Sequence, residues 1–152
     1  MVPFLKEDDV RETMRLARAA GAQPYFGGQD LSSIGLFNTD LAAADFHGAD
    51  LSSANLGDSN LAGANLAATD LGSADLALAD LTGANLQRAN LFAANLRGAI
   101  LRGADLREAV LLNANLLDAD LAGTQLQGAR YNSYTRWTVG FDPAGVGAVF
   151  QL

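Results

Sequence analysis

The chain has 152 residues, a net charge of −7 and no cysteine. Its length fits a single domain. The absence of cysteine excludes disulfides, thiol catalysis and thiolate metal sites, and no apolar run approaches the ~18 residues of a transmembrane helix.

Residues 1–23 carry a helix signal. Pro3 opens the segment, Asp8 or Asp9 suits an N-cap, and Glu12 falls in the first turn. Val10, Met14 and Ala17 recur at helical spacing, as do Leu16 and Ala20, and Gly21 suits a C′ stop. The pattern predicts a helix over about 9–20. Val10 and Met14 are candidate capping residues, placed to cover the open end of whatever follows. The opening MVPFLKEDD lacks a basic region followed by an apolar stretch, so no secretory signal is expected and a cytoplasmic location is.

From Phe26 the chain repeats every five residues. Large apolar centres stand at Phe26, Leu31, Leu36, Leu41 and Phe46, then at every fifth residue to Leu126, with Tyr131 last, making 22 units. Two residues before the 20 centres from 31 to 126, 14 positions are Ala; one residue before, 16 are Asp or Asn. The two residues after each centre vary freely. Gly27, Gly28, Ile34 and Gly35 make the first units irregular.

A period of five suits neither common element. On an α-helix it rotates about 140° past a full turn, so the Leu row would wind around the surface. On a strand it sends alternate Leu residues to opposite faces. A backbone that turns a corner in every unit points each Leu inward, which is a solenoid. The Asp or Asn suits the corner, where its side chain can bond nearby backbone N–H groups.

After Leu126 the chain reads QGARYNSYTRWTVGFDPAGVGAVFQL. Tyr131, Tyr134, Trp137 and Phe141 crowd into eleven residues and are candidates to close the C-terminal end. Gly145 and Gly147 argue against a final helix. The apolar ending VFQL is expected to pair with a sheet edge or a partner.

Tandem A(D/N)LXX units, as in ANLQR ANLFA ANLRG AILRG ADL from Ala84 to Leu106, resemble the pentapeptide repeat family. The resemblance covers residues 24–133, 72% of the chain. It implies an all-β solenoid, a right-handed quadrilateral β-helix with four units and 20 residues per coil. The 22 units then make 5.5 coils, between a short N-terminal α-helical cap over 1–23 and an aromatic C-terminal cap in 134–152. The segment TRWTVGFDP is similar to a tail of cyanobacterial members, T-R-W-P-x-G-F-D-P, with Thr138 in place of its first Pro.

On such a coil the variable residues face outward, and their character changes along the chain. Residues 26–87 hold eight Asp and no Lys or Arg; residues 88–137 hold six Arg against Asp105, Glu108, Asp118 and Asp120. Phe92 and Leu112 fall on one face in adjacent coils, with Leu117 on the next face. Ile100 and Val110 replace corner Asp or Asn. Arg97, Arg102 and Arg107 form a belt on three consecutive faces, with Asp105 and Glu108 as expected partners. These eight residues, Phe92, Arg97, Ile100, Arg102, Arg107, Val110, Leu112 and Leu117, are the candidate partner surface. An equal alternative has the C-terminal tail folding back over the Phe92–Leu112 strip.

No catalytic, cofactor or metal constellation is found. His47 stands alone in an outward position, and no nucleophile motif, P-loop or dinucleotide fingerprint occurs. Asp30, Asp50 and Asp70 stack in register, a pattern that suits corner hydrogen bonds far better than Ca²⁺. The expectation is therefore a non-enzymatic, cofactor-free scaffold for protein–protein interaction, with no direct nucleic-acid binding. The tail resemblance implies a cyanobacterial setting, with a photosynthetic or regulatory assembly as partner. The alternative is a DNA-mimicking protector of a type II topoisomerase such as gyrase, since some family members are acidic rods of this kind. The Asp-rich half fits that alternative; the Leu centres, the basic second half and the lack of a dimerisation helix weigh against it.

Overall fold

The structure, a computed structural model, describes residues 4–152, so Pro3 lies outside the described residues. The first element, α1, spans Glu7–Ala19. Its N-cap is Lys6 rather than Asp8 or Asp9: the Lys6 backbone N–H donates to Asp9 Oδ2 at 2.9 Å. Asp9 thus serves the cap from the third helical position, and Glu7, Asp8 and Asp9 all sit at the positive end of the helix dipole. At the other end Ala22 N–H donates to Ala17 O at 2.8 Å and Gly21 N–H to Arg18 O at 3.0 Å, a Schellman stop with Gly21 at φ +65°. Val10 and Met14 are buried as expected, whereas Leu16 is 53% exposed and Ala20 is exposed, so only one apolar row packs.

From Tyr25 to Asp120 every fifth residue bridges in parallel to a residue 20 later, or to the one 20 earlier, or both. Four such rows make four sides, named here for one member each. The Asp70 side carries Asp30, Asp50, Asp70, Asn90, Val110 and Arg130; the Asp75 side carries Gly35, Asn55, Asp75, Asn95 and Asn115. The Asp80 side carries Asp40, Asn60, Asp80, Ile100 and Asp120, and the Asn85 side carries Asp45, Asn65, Asn85, Asp105 and Gln125.

One unit illustrates why five residues suffice. Leu86 N–H donates to Asp105 O at 2.7 Å and Asn85 N–H to Ala64 O at 2.9 Å, joining the coil to both neighbours. Arg88 N–H donates to Arg107 O at 3.0 Å, and Ala89 N–H closes the turn onto Leu86 O at 3.0 Å. The corner Asn85 Oδ1 accepts from Gln87 N–H at 3.0 Å, the side-chain bond expected of Asp and Asn at a corner. The residue two after each centre, from Gly28 to Gly128, has φ between +51° and +75°. Thirteen of these are not Gly, so each holds a left-handed conformation that L-residues disfavour.

The core is a stack of Leu and Ala. Every Leu centre from 31 to 126 is fully buried except Leu121, at 8% exposed. Phe26 and Phe46 stack ring on ring at 5.0 Å. Where a hydroxyl replaces the small Ala, it finds a carbonyl: Ser59 Oγ donates to Leu36 O, Thr69 Oγ1 to Phe46 O and Thr124 Oγ1 to Leu101 O, at 2.6, 2.9 and 2.8 Å.

The helix meets the first coil directly. Leu5 N–H donates to Asp30 O, as the centre of a preceding coil would, and Arg18 pairs with the Asp40 carboxylate at 3.0 Å. The Glu7 carboxylate, at the end of an exposed side chain, lies over Gly35 in the space a side chain there would take.

At the other end the row slips by one residue. Asn115 bridges to Arg136, 21 residues on, and the next apolar centre after Tyr131 is Trp137. Thr135 takes the small-residue position, buried, with its Oγ1 donating to Leu111 O at 2.8 Å. Tyr131 meets Trp137 edge-on at 5.6 Å and Trp137 stacks on Phe141 at 5.3 Å. Tyr134, expected with them, is 74% exposed because the inserted residue turns it outward; Phe150 instead meets Tyr131 at 5.5 Å. A 3₁₀ turn at Ala144–Val146 precedes the last segment. There β2 (Val149–Phe150) pairs in parallel with β1 (Arg130–Tyr131), so the apolar ending joins the edge of its own chain.

Candidate interaction surface

The sheet rows separate the candidate residues. Phe92, Val110 and Leu112 come together on the Asp70 side and its following corner; Arg97 and Leu117 occupy the next corner. Ile100 lies on the Asp80 side, with Arg102 and Arg107 at the two corners after it. Phe92 is 44% exposed and Ile100 38%, whereas Val110, Leu112 and Leu117 are half-buried. The tail lies beyond this strip. β2 extends the Asp70 side by one more row after Arg130 and leaves Phe92 exposed.

The arginine belt is paired; Arg107 takes Asp105 as expected, whereas Arg97 and Arg102 take other partners and Glu108 goes to Arg88. Arg97 meets Asp118 at 3.3 Å and Arg102 meets Asp120 at 3.2 Å; Arg107 meets Asp105 at 2.7 Å, while Glu108 is taken by Arg88 at 2.9 Å. For Arg88, Arg97 and Arg102, stacking brings a carboxylate about one coil away onto the guanidinium group, a relation that linear neighbourhood did not reveal. The Arg107 hydrogen bond holds the Asp105 carboxyl below the usual carboxylate range, and Gln87 adds to it. Arg88 does the same for Glu108.

In the acid-rich half the corner carboxylates accept backbone N–H groups: Ser52 N–H reaches Asp50 Oδ1 and Gly72 N–H reaches Asp70 Oδ1, both at 2.9 Å. Where Asn follows Asp one coil later, its amide donates to the Asp, as Asn90 does to Asp70 at 2.9 Å and Asn95 to Asp75 at 3.0 Å. His47 is exposed, and its backbone N–H donates to Asp45 Oδ1. Among the described residues no helix is long and apolar enough to cross a membrane.

Among the exposed apolar residues that the sequence did not single out, Phe37 and Leu78 stand together. Phe37 is 55% exposed and Leu78 60%, and both stand at the corner between the Asp75 and Asp80 sides. The signal was present in the variable positions, where each departs from the small or polar residues of its own half.

The pentapeptide repeats family profile matches residues 26–58, 59–98 and 99–130. Among solved structures the chain is similar to alr5209, a pentapeptide repeat protein from Nostoc PCC 7120, at 29% identity over 99% of this chain and 100% of that one, TM-score 0.39. It is similar to Rfr23 from Cyanothece 51142 at 36% identity over 71% of this chain and 63% of that one, TM-score 0.30. A pentapeptide repeat protein of the Arabidopsis thaliana thylakoid lumen is 29% identical over 71% of this chain and 65% of that one, TM-score 0.35. The chain therefore spans just under two thirds of the length of the last two. A comparison with curated proteins finds no match. The repeat profile runs over most of the sequence, in register with the buried Leu row, and the chain belongs to the pentapeptide repeat family, whose fold is the right-handed quadrilateral β-helix.

Proposed function

We propose that the chain is a non-enzymatic scaffold for protein–protein interaction, with its partner surface on the C-terminal coils. One observation carries this reading: Phe92 stands exposed beside Val110 and Leu112 on the Asp70 side and its following corner. An apolar strip on a water-facing repeat fits a contact surface. Arg97 and Leu117 flank the strip, and Ile100, Arg102 and Arg107 extend the reading to the other sides. The test is a pull-down comparing wild type with Phe92→Asp plus Leu112→Asp. Partners captured by wild type should be lost in the variant. Capture of the same partners by both would remove the strip from the interface.

The same reading takes the segment up to residue 23 as an N-terminal cap, 24–133 as about 5.5 coils and 134–152 as the C-terminal closure. Buried Val10 and Met14 support the first cap; the Tyr131–Trp137–Phe141 ring contacts support the second. A cytoplasmic, cyanobacterial setting and a photosynthetic or regulatory assembly as partner are part of this proposal.

A second reading is gyrase protection by DNA mimicry. The pairing of Arg88, Arg97, Arg102 and Arg107 favours it, because it offsets four of the six Arg of the basic half. The acidic half keeps its Asp residues, of which only Asp40 has an ion-pair partner among the described residues. Inhibition of gyrase supercoiling by the purified protein at micromolar concentration is the expected result on this reading, and no inhibition would end it.

A further inference from the structure

We propose that the corner between the Asp75 and Asp80 sides is a second docking surface, distinct from the Phe92–Leu112 strip, and that its occupant is a basic amphipathic α-helix of a partner protein lying along the coil axis. The residues that mark it are Phe37, Leu78 and Leu117, with Gly57 between the first two and Gly98 and the ion-paired Arg97 between the last two.

Leu78 is anomalous on three counts. It is the only branched aliphatic residue among the 21 at the left-handed turn position, where it holds φ +60°. It is 60% exposed. Its side chain lies over Gly98, where an added Cβ would meet Leu78 Cδ2 at 2.7 Å. Phe37 repeats the arrangement two coils earlier: it is 55% exposed and lies against Gly57, whose added Cβ would meet the Phe37 ring at 3.3 Å. Left-handed strain on a bulky residue, together with exposed apolar surface, costs folding free energy, and the contact with Gly98 still leaves Leu78 mostly exposed. Beside Leu78 runs a groove of about 350 Å³ bounded by Ala77, Asn95, Arg97, Gly98 and Asp118.

Spacing selects the occupant. Phe37 to Leu78 is 41 residues and Leu78 to Leu117 is 39, so each step is two coils along the axis, about 9.6 Å at sheet spacing, with Leu78 one residue to the side of the Phe37–Leu117 column. Two turns of an α-helix rise about 10.5 Å, so positions i, i+7 and i+14 of one apolar stripe match the three ridges. Charge selects its flanks. Asp58 sits between Phe37 and Leu78 on the corner, with Asp75 and Asp80 on the two sides of Leu78, and none has an ion-pair partner among the described residues. Among the described residues one ion pair, Arg97–Asp118, lines the groove itself, one coil beyond Leu78, and there the Arg97 charge is offset by Asp118. Lys or Arg beside the apolar stripe would meet carboxylates on both edges.

The test titrates the isotope-labelled protein with a peptide of about 15 residues carrying Leu at i, i+7 and i+14 and Lys beside them, long enough to span the three ridges. Amide shifts should centre on Gly57, Ala77 and Gly98. Phe37→Ser plus Leu78→Ser should weaken binding about tenfold or more. Asp58→Asn plus Asp75→Asn, which leaves the apolar ridge intact, should weaken it and flatten its salt dependence. A peptide with Glu in place of Lys should not bind. Equal binding by a shuffled Lys peptide would reduce the effect to bulk charge and overturn the proposal. So would shifts centred on Phe92 and Leu112, or no shifts at all. The pull-down with the Phe92 and Leu112 variant is unaffected by these outcomes, so the two surfaces stand or fall separately.

Discussion

At the scale of single residues, the left-handed turn position is the costliest demand of the fold. Ala68 and Gly83 occupy it on different corners, at φ +54° and +64°. Nothing lies within 4 Å of a Cβ built on Gly83, so a substitution there reports conformation rather than crowding. Gly83→Ala should cost about 1 kcal/mol, and Ala68→Gly should have the opposite sign or be neutral, since Gly removes the strain but adds unfolded-state entropy. Chemical denaturation of the two variants checks this. A loss of stability in both would show that the turn strain is not the controlling effect.

The Asp105 carboxyl makes a second residue-scale prediction. Its pKa is depressed, chiefly by the Arg107 hydrogen bond. A depressed carboxyl stabilises the fold above its unfolded value and loses that contribution as pH falls through the folded value. The stabilisation is therefore present at neutral pH and disappears in acid. Carboxyl NMR titration should place Asp105 below the ordinary Asp range, and Arg107→Gln should move it upward. An unchanged titration in the variant would mean that the ion pair, with Arg107 partly exposed, is screened in solution.

At the scale of elements, α1 is a short helix whose stability comes from one buried row. Helices of this length are marginal alone, and Val10 and Met14 are its buried anchors. Burying a carboxylate without a partner is expensive, so Val10→Asp should detach the helix from the first coil. Hydrogen exchange should then quicken in α1 and in residues 25–41, while the coils after residue 60 keep their protection. Loss of protection along the whole chain would instead make α1 part of a single folding unit. The aromatic end teaches a related lesson. An inserted residue before Trp137 moved Tyr134 outward and Thr135 inward, and no single-residue property announced it. The slip is set by how the chain must cross from Tyr131 to lay Arg136 beside Asn115.

At the scale of the whole molecule, stability is collective. Each unit buries one Leu, contributing about 1.5–3 kcal/mol, against about 1–2 kcal/mol per ordered residue, so no unit stands without its neighbours. Leu86 is fully buried in the middle of the stack. Leu86→Ala should cost about 2–5 kcal/mol and shift one unfolding transition. Two separated transitions in urea would show instead that the stack breaks into independently stable halves.

The five-residue period by itself determined most of this protein. A side-chain row that fits neither 3.6 nor 2 residues per turn forces a corner in every unit. The buried Leu and Ala stack, the Asp and Asn corner bonds and the Gly21 stop all follow from it and from local chemistry. The candidate surface was legible as a list of residues, because Phe92, Ile100 and Leu112 depart from the outward pattern. The 20-residue coil implied by the family resemblance already put Phe92 and Leu112 on one face; only the tertiary structure decided which side chains meet between coils. It gave Arg97 to Asp118 and Arg102 to Asp120, laid Leu78 over Gly98, and carried the tail onto β1 rather than back across Phe92. Each of these is a contact between coils, whose partner is set by stacking and not by sequence distance.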